Sequence, residues 1–245
     1  MNTIIYFPHI FRAVFEKLAA FLAQAPGIIH ISWISSFLPL AAATRAGRLF
    51  TRGKQALLLL CLIDMLCEIT ALGYAFFREP NGWLIHVLTL SEFSLLMLIF
   101  SYWEANPNRR KYLRWSIPVF WAVWLLINLA VNESAPGQLN YSRAIAAIIL
   151  ALIAGYMLYR LAVNPLIVPS RDYRFWVALG ALLYFGGNIF IFAQGFLANS
   201  PVQALVWQFH VGFNILRNLA FTAAMLCRSP REDRMETVAG AERLV

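Results

Sequence analysis

The chain has 245 residues, 60% of them hydrophobic and only 13% charged, against about 25% charged residues in an ordinary soluble domain. The net charge of +8 at pH 7 does not make it a nucleic-acid-binding protein, because the basic residues sit in short stretches between apolar runs and no separate basic domain carries them. Cys61, Cys67 and Cys227 lie inside or at the end of apolar runs, which leaves no disulfide framework and no paired CxxC motif for zinc.

Residues 1–25 have no basic residue ahead of their first apolar stretch, unlike a usual signal peptide. From His9 to Gln24, Ile10, Phe11, Val14, Phe15, Phe21 and Leu22 are mixed with Arg12, Glu16 and Lys17. Three charges in so short a run disfavour spanning, so the segment is expected to lie in the membrane interface as an amphipathic helix. Residues 26–227 hold seven apolar runs: Gly27–Thr44, Gln55–Phe77, Trp83–Trp103, Trp115–Val131, Ala144–Tyr159, Phe175–Leu197 and Val202–Cys227. Each is close to the ~20 residues that cross ~30 Å of hydrocarbon. In lipid such a run is helical, since every backbone amide needs an internal partner, and Pro39 and Pro118 are tolerated there. Residues 228–245 form a polar tail too short to bury a core. The expected fold is therefore an all-α, polytopic seven-transmembrane-helix bundle.

The loops orient it. Arg45, Arg48, Arg52, Lys54, Arg109, Arg110, Lys111, Arg114, Arg160, Arg171, Arg174, Arg228, Arg231, Arg234 and Arg243 fall on one side; Arg12, Lys17, Arg78 and Arg143 fall on the other. Basic residues mark the cytoplasmic side, so the N-terminus is expected outside and the C-terminus inside, in a bacterial inner membrane. Trp83-Leu-Ile-His86 opens the third run and Trp207-Gln-Phe-His210 lies near the start of the seventh. Both runs cross in the same direction, which suits two three-helix repeats joined by the fourth helix.

Ionisable and amide side chains within the runs are the informative ones, because a charge at mid-helix costs at least ~2.5 kcal/mol unless paired. Counting rise along the helices places Glu68, Glu92, Asn188, His210 and Asn214 in one layer, from the midplane to the outer half of the membrane. With His86, three residues inside its interface, they form the expected ligand pocket. Asp64, Asn128, Arg217 and Asn218 are assigned to holding helices together, with Arg217 pairing with Asp64.

Several chemistries follow from this inventory. Retinal is excluded as a cofactor, because a Schiff base needs a lysine within a helix and Lys17, Lys54 and Lys111 fall outside the runs. Zinc held by Glu68, Glu92 and His210 could activate water for hydrolysis, although it is not the favoured reading. That plan is similar in topology to the intramembrane hydrolases that include alkaline ceramidases and adiponectin-receptor-like proteins. Their last helix carries an HxxxH pair, whereas Asn214 stands at the second position here. A carrier could use the same groups for a proton or cation, but no Gly/Pro-broken helix recurs in both halves; Gly180, Gly186 and Gly187 have no counterpart in the second run.

The segments "WLIHVLTLSEFSLL" and "VWQFHVGFNILRNLAF" resemble two signatures of an uncharacterised bacterial seven-helix membrane protein family. Members of that family resemble each other over most of the chain. The resemblance implies a membrane protein working beside separate signalling proteins such as sensor kinases, with no established activity. On the matching positions it points to His86, Glu92, His210, Asn214 and Asn218. The function expected is sensing or signal coupling through a polar intramembrane pocket and a signalling partner, with no nucleic acid.

Overall fold

A computed structural model describes residues 26–45, 51–77, 79–131, 140–163, 168–193 and 201–227, together with Lys17 and Ala23. Among these there are seven α-helices of 19 residues or more, one 3-10 turn at Pro169–Arg171, and no strand. The helices are α1 (Gly27–Arg45), α2 (Arg52–Phe77), α3 (Gly82–Trp103), α4 (Pro107–Ala130), α5 (Tyr141–Ala162), α6 (Tyr173–Ala193) and α7 (Pro201–Leu226). The interfacial segment expected over 1–25, apart from those two residues, and the tail over 228–245 lie outside the described residues, as does the end of the sixth run over 194–197.

Helix boundaries depart from the apolar runs where local chemistry overrides hydropathy. α4 begins at Pro107 rather than Trp115. The Asn106 side chain accepts from the amides of Asn108 (2.9 Å) and Arg109 (3.3 Å), and Pro107 presets the first helical position. The basic residues Arg109, Arg110, Lys111 and Arg114 therefore ride on the first two turns of α4 instead of forming a loop. α2 and α5 likewise start three residues early, which brings Lys54 and Arg143 inside helices. Hydropathy alone puts both in loops.

Each helix packs on the next, and α7 closes the ring against α1. α3 also touches α5 and occupies the middle: Phe93, Leu96, Met97, Ile99 and Phe100 are buried almost completely. α4 is the peripheral member. Its Phe120 stacks on Phe93 with ring centroids 4.0 Å apart, while Leu126 and Leu129 stay largely exposed.

Small residues let the ring close. Ser32, Ser35, Pro39, Ala42 and Ala43 are buried on α1. On α6, a Cβ at Gly180 would come within 2.9 Å of the Ala220 Cβ, and one at Gly187 would run into the Phe213 ring. Packing at that range is how helices associate in lipid, where the hydrophobic effect offers no drive.

The distribution of polarity is inverted relative to a soluble protein. Asp64, Glu92, Arg143 and Arg217 are each 5% exposed or less, whereas Ile34, Leu126 and Leu152 are 65% exposed or more. Charges inside and leucines outside suit a hydrocarbon surround and not water. Five helices, α1 to α5, are long and apolar enough to cross a membrane. The chain is thus a membrane protein, all-helical among its described residues.

The basic end of the bundle is fastened by polar contacts. Lys54 is buried and its ammonium donates to the Cys227 carbonyl at the end of α7, where a cation complements the helix dipole. Arg160 Nη1 lies 2.5 Å from Glu104 Oε2. Arg110 donates through Nε (3.0 Å) and Nη2 (2.8 Å) to the Glu104 carbonyl, joining the ends of α3, α4 and α5.

Candidate functional site

The centre of the bundle is an ion network built around Glu92 of α3. Oε1 of Glu92 accepts from Arg217 Nη1 of α7 at 2.5 Å, and Oε2 lies 3.2 Å from Arg143 Nη2 of α5. Arg217 Nη2 is also 3.2 Å from Asp64 Oδ2 of α2. The guanidinium of Arg217 covers the Tyr184 ring of α6 at 4.1 Å, a cation–π contact that carries more weight where water is excluded. Arg143 is held in turn by the Thr89 hydroxyl (3.1 Å) and the Tyr184 phenol oxygen (2.9 Å). Five helices thus meet through two guanidiniums.

A chain of neutral groups extends the network to α1. Arg217 Nη2 donates to Asn214 Oδ1 at 2.8 Å. Asn214 Nδ2 then donates to Glu68 Oε1 (2.9 Å) and to Ser32 Oγ (3.0 Å). One turn further along α7, Asn218 Nδ2 donates to Ser35 Oγ at 2.9 Å. The four-residue spacing of Asn214 and Asn218 matches the three-residue spacing of Ser32 and Ser35, because both pairs stack on one helix face.

His210 and Asn188 form a separate pair at 2.7 Å, with Asn188 Oδ1 accepting so that His210 Nδ1 carries the proton. The imidazole also meets the rings of Trp207 and Tyr184, with centroids 5.3 and 5.8 Å away. Its tie to the network is through Tyr184.

The expected pocket is therefore brought together only in part. Glu68, Glu92 and Asn214 share the network, and Asn188 and His210 sit at its edge. His86 stands apart, accepting from the Trp124 indole of α4 at 3.2 Å. Of the residues assigned to holding helices, Asp64 does pair with Arg217, and Asn218 does bridge α7 to α1. Asn128 differs, since its Nδ2 donates to the Trp124 carbonyl of its own helix.

Arg217 is not peripheral: it is the residue on which the network turns. Arg143 and Tyr184 are site residues that hydropathy does not reveal. Arg143 stands one residue ahead of an apolar run and reads as a loop cation, yet it is 4% exposed. The usable signal is electrostatic, since three membrane-embedded carboxylates need more than one cation.

The network bears on the metal reading. Among the described residues no group of three or more His, Cys, Asp or Glu side chains converges as a metal site does. Glu92 turns both oxygens toward guanidiniums, which would repel a divalent cation, and His210 is directed to Asn188. The zinc set Glu68, Glu92 and His210 does not fit this arrangement. Lys54 and Lys111 lie within α2 and α4, contrary to the expectation that both fall outside the spans, but the Lys54 ammonium is engaged by the end of α7 and Lys111 is exposed on the first turns of α4.

No family model, curated protein or solved structure matches the chain.

Proposed function

We propose that the protein is a seven-span integral membrane protein of a bacterial inner membrane, with its N-terminus outside and its C-terminus inside, that senses a stimulus at its buried polar centre and passes a helix shift to a signalling partner on the cytoplasmic side. Seven spans are supported by α6 and α7, of 21 and 26 residues, which pack side by side with the five apolar helices. Orientation rests on the clustering of basic residues at one end. A three-plus-one-plus-three repeat is supported by the two WxxH elements and by the peripheral place of α4.

The single observation that carries the sensing reading is the clamp on Glu92. One carboxylate on the central helix is gripped by arginines from α5 and α7, and one of those arginines also holds α2 and, through Asn214, α1. Altering the charge at one position changes the forces on four other helices at once. Packed bundles answer such a change by discrete helix shifts of about 1–2 Å.

The test is a distance. Nitroxide labels at Arg45→Cys on α1 and Lys111→Cys on α4, both exposed, report the basic end of the bundle in lipid nanodiscs. Glu92→Gln is expected to displace the distance distribution by about 1–2 Å or to split it in two. An unchanged distribution in a folded, inserted variant would mean that the network only holds the bundle together.

A further inference from the structure

Among the described residues the charges of the central network do not balance. Asp64, Glu68 and Glu92 contribute three carboxylates, and Arg143 and Arg217 contribute two guanidiniums. Burying a net charge in a low-dielectric interior is costly, and a titratable group relieves the cost by changing its protonation. Two of the carboxylates are in ion pairs: Glu92 with both arginines and Asp64 with Arg217. Glu68 is the remaining one. Arg217 is the cation whose field reaches it, and it is linked to that arginine only through the Asn214 amide.

The surroundings of Glu68 fit an acid better than an anion. Oε1 accepts from Asn214, while Oε2 is buried and has no hydrogen-bond partner. The neighbour within reach is Ser36 of α1, whose hydroxyl proton is already given to the Trp33 carbonyl at 2.7 Å. Ser36 therefore offers lone pairs, to which a carboxylic acid can donate and from which a carboxylate has nothing to accept. The charged and titratable neighbours are of both signs. On its own helix Glu68 faces Asp64 and Cys67. From α7 it meets Asn214 and Arg217, and Glu92 of α3 stands beyond Arg217. α1 carries only His30 and Arg45 as titratable groups.

Glu68 also lies at a small cavity of about 90 Å³ on the outside of the ring, between α1 and α2, lined by Trp33, Ser36, Phe37, Ile69 and Leu72. It is the member of the network that lines this cavity.

We infer that Glu68 is the proton-binding site of the network, holding a proton in the state seen here, and that loss of this proton is the stimulus the bundle reads. The inference deepens the sensing reading and rests on it for the consequence, not for the site. Release leaves the network with one excess negative charge, drawn toward Arg217, and so pulls on α2 and α7 together.

Infrared spectroscopy of the full chain in nanodiscs tests the site. A protonated-carboxyl C=O band is expected at neutral pH, displaced by ¹³C labelling of glutamate and absent from Glu68→Gln, which mimics the protonated state and keeps the fold. In Asp64→Asn the charges balance with Glu68 ionised, so the band should shrink about tenfold or more, to the protonated fraction left when a pKa lies about one unit or more below the pH. A wild-type spectrum without the band, or a band indifferent to Asp64→Asn, overturns the inference. The Arg45–Lys111 label distance, followed from about pH 6 to pH 9, tests the consequence: it should change in wild type and stay fixed in Glu68→Gln. A band present with a distance that ignores pH refutes the proton as stimulus. The Glu92→Gln distance experiment decides separately whether the bundle is a sensor at all.

Discussion

Replacing Glu92 by glutamine keeps the shape of the side chain and removes the charge that two arginines share. Arg217 retains Asp64 at 3.2 Å and the Asn214 amide at 2.8 Å; Arg143 retains its bonds to Thr89 and Tyr184. Both guanidiniums stay buried, so the loss includes the cost of a cation left without its main counter-charge. Removing one partner of a buried pair costs about 3–5 kcal/mol, a factor of about a hundred to several thousand in the folded-to-unfolded ratio. The assay is equilibrium unfolding of purified protein in mixed micelles titrated with sodium dodecyl sulfate, read by circular dichroism. A cycle with Arg143→Met isolates the pair: in the Glu92→Gln background that change should cost about 1–3 kcal/mol less than in wild type. A Glu92→Gln loss under about 1 kcal/mol, or strict additivity in the cycle, would refute the reasoning.

Four further outcomes are expected. Gly187→Ala should destabilise by about 1–3 kcal/mol, since its Cβ would meet the Phe213 ring, whereas Gly73→Ala, with nothing within 4 Å, should be neutral or slightly stabilising in the same titration. Lys54→Met should lower stability by about 1–2 kcal/mol through loss of the cation at the end of α7, with its effect on exchange protection of amides confined to that end. A chelator should leave thermal stability unchanged, because Glu92 faces arginines instead of a metal; a large loss on chelation would revive the zinc reading. Finally, a lipid-soluble carbodiimide should modify Glu68, which lines the outer cavity, and spare Glu92, which is 2% exposed; peptide mapping by mass spectrometry distinguishes the two.

Helices are the most legible part of the sequence, because apolar length is a one-dimensional property. Gly27, Phe77 and Trp103 bound both the apolar runs and the observed helices. The start of α4 is not legible that way: a cap at Asn106 extends the helix eight residues through four cations. The site is half legible for the same kind of reason. Depth along a helix follows from counting, so Glu68, Glu92 and Asn214 could be placed in one layer, but rotation about the axis does not. His86 lies in the same helix as Glu92, 8% exposed, yet it faces α4 and not the centre. A cation such as Arg143, at the edge of an apolar run, reads as a loop residue unless its counter-charge is counted first. Asn128 shows the converse, a polar residue at membrane depth that returns to its own backbone.

Everything proposed for the buried centre depends on Glu92 being held by arginines inside the membrane. Solid-state NMR of the protein in liposomes, with ¹⁵N-arginine and ¹³C-glutamate, measures that directly. Glu104→Gln removes the separate Arg160–Glu104 pair from the signal. The expected result is a remaining guanidinium-to-carboxyl dipolar coupling, at the short range of a direct ion pair, that vanishes in Glu92→Gln. Arginines that couple only to lipid phosphate or to water would contradict it.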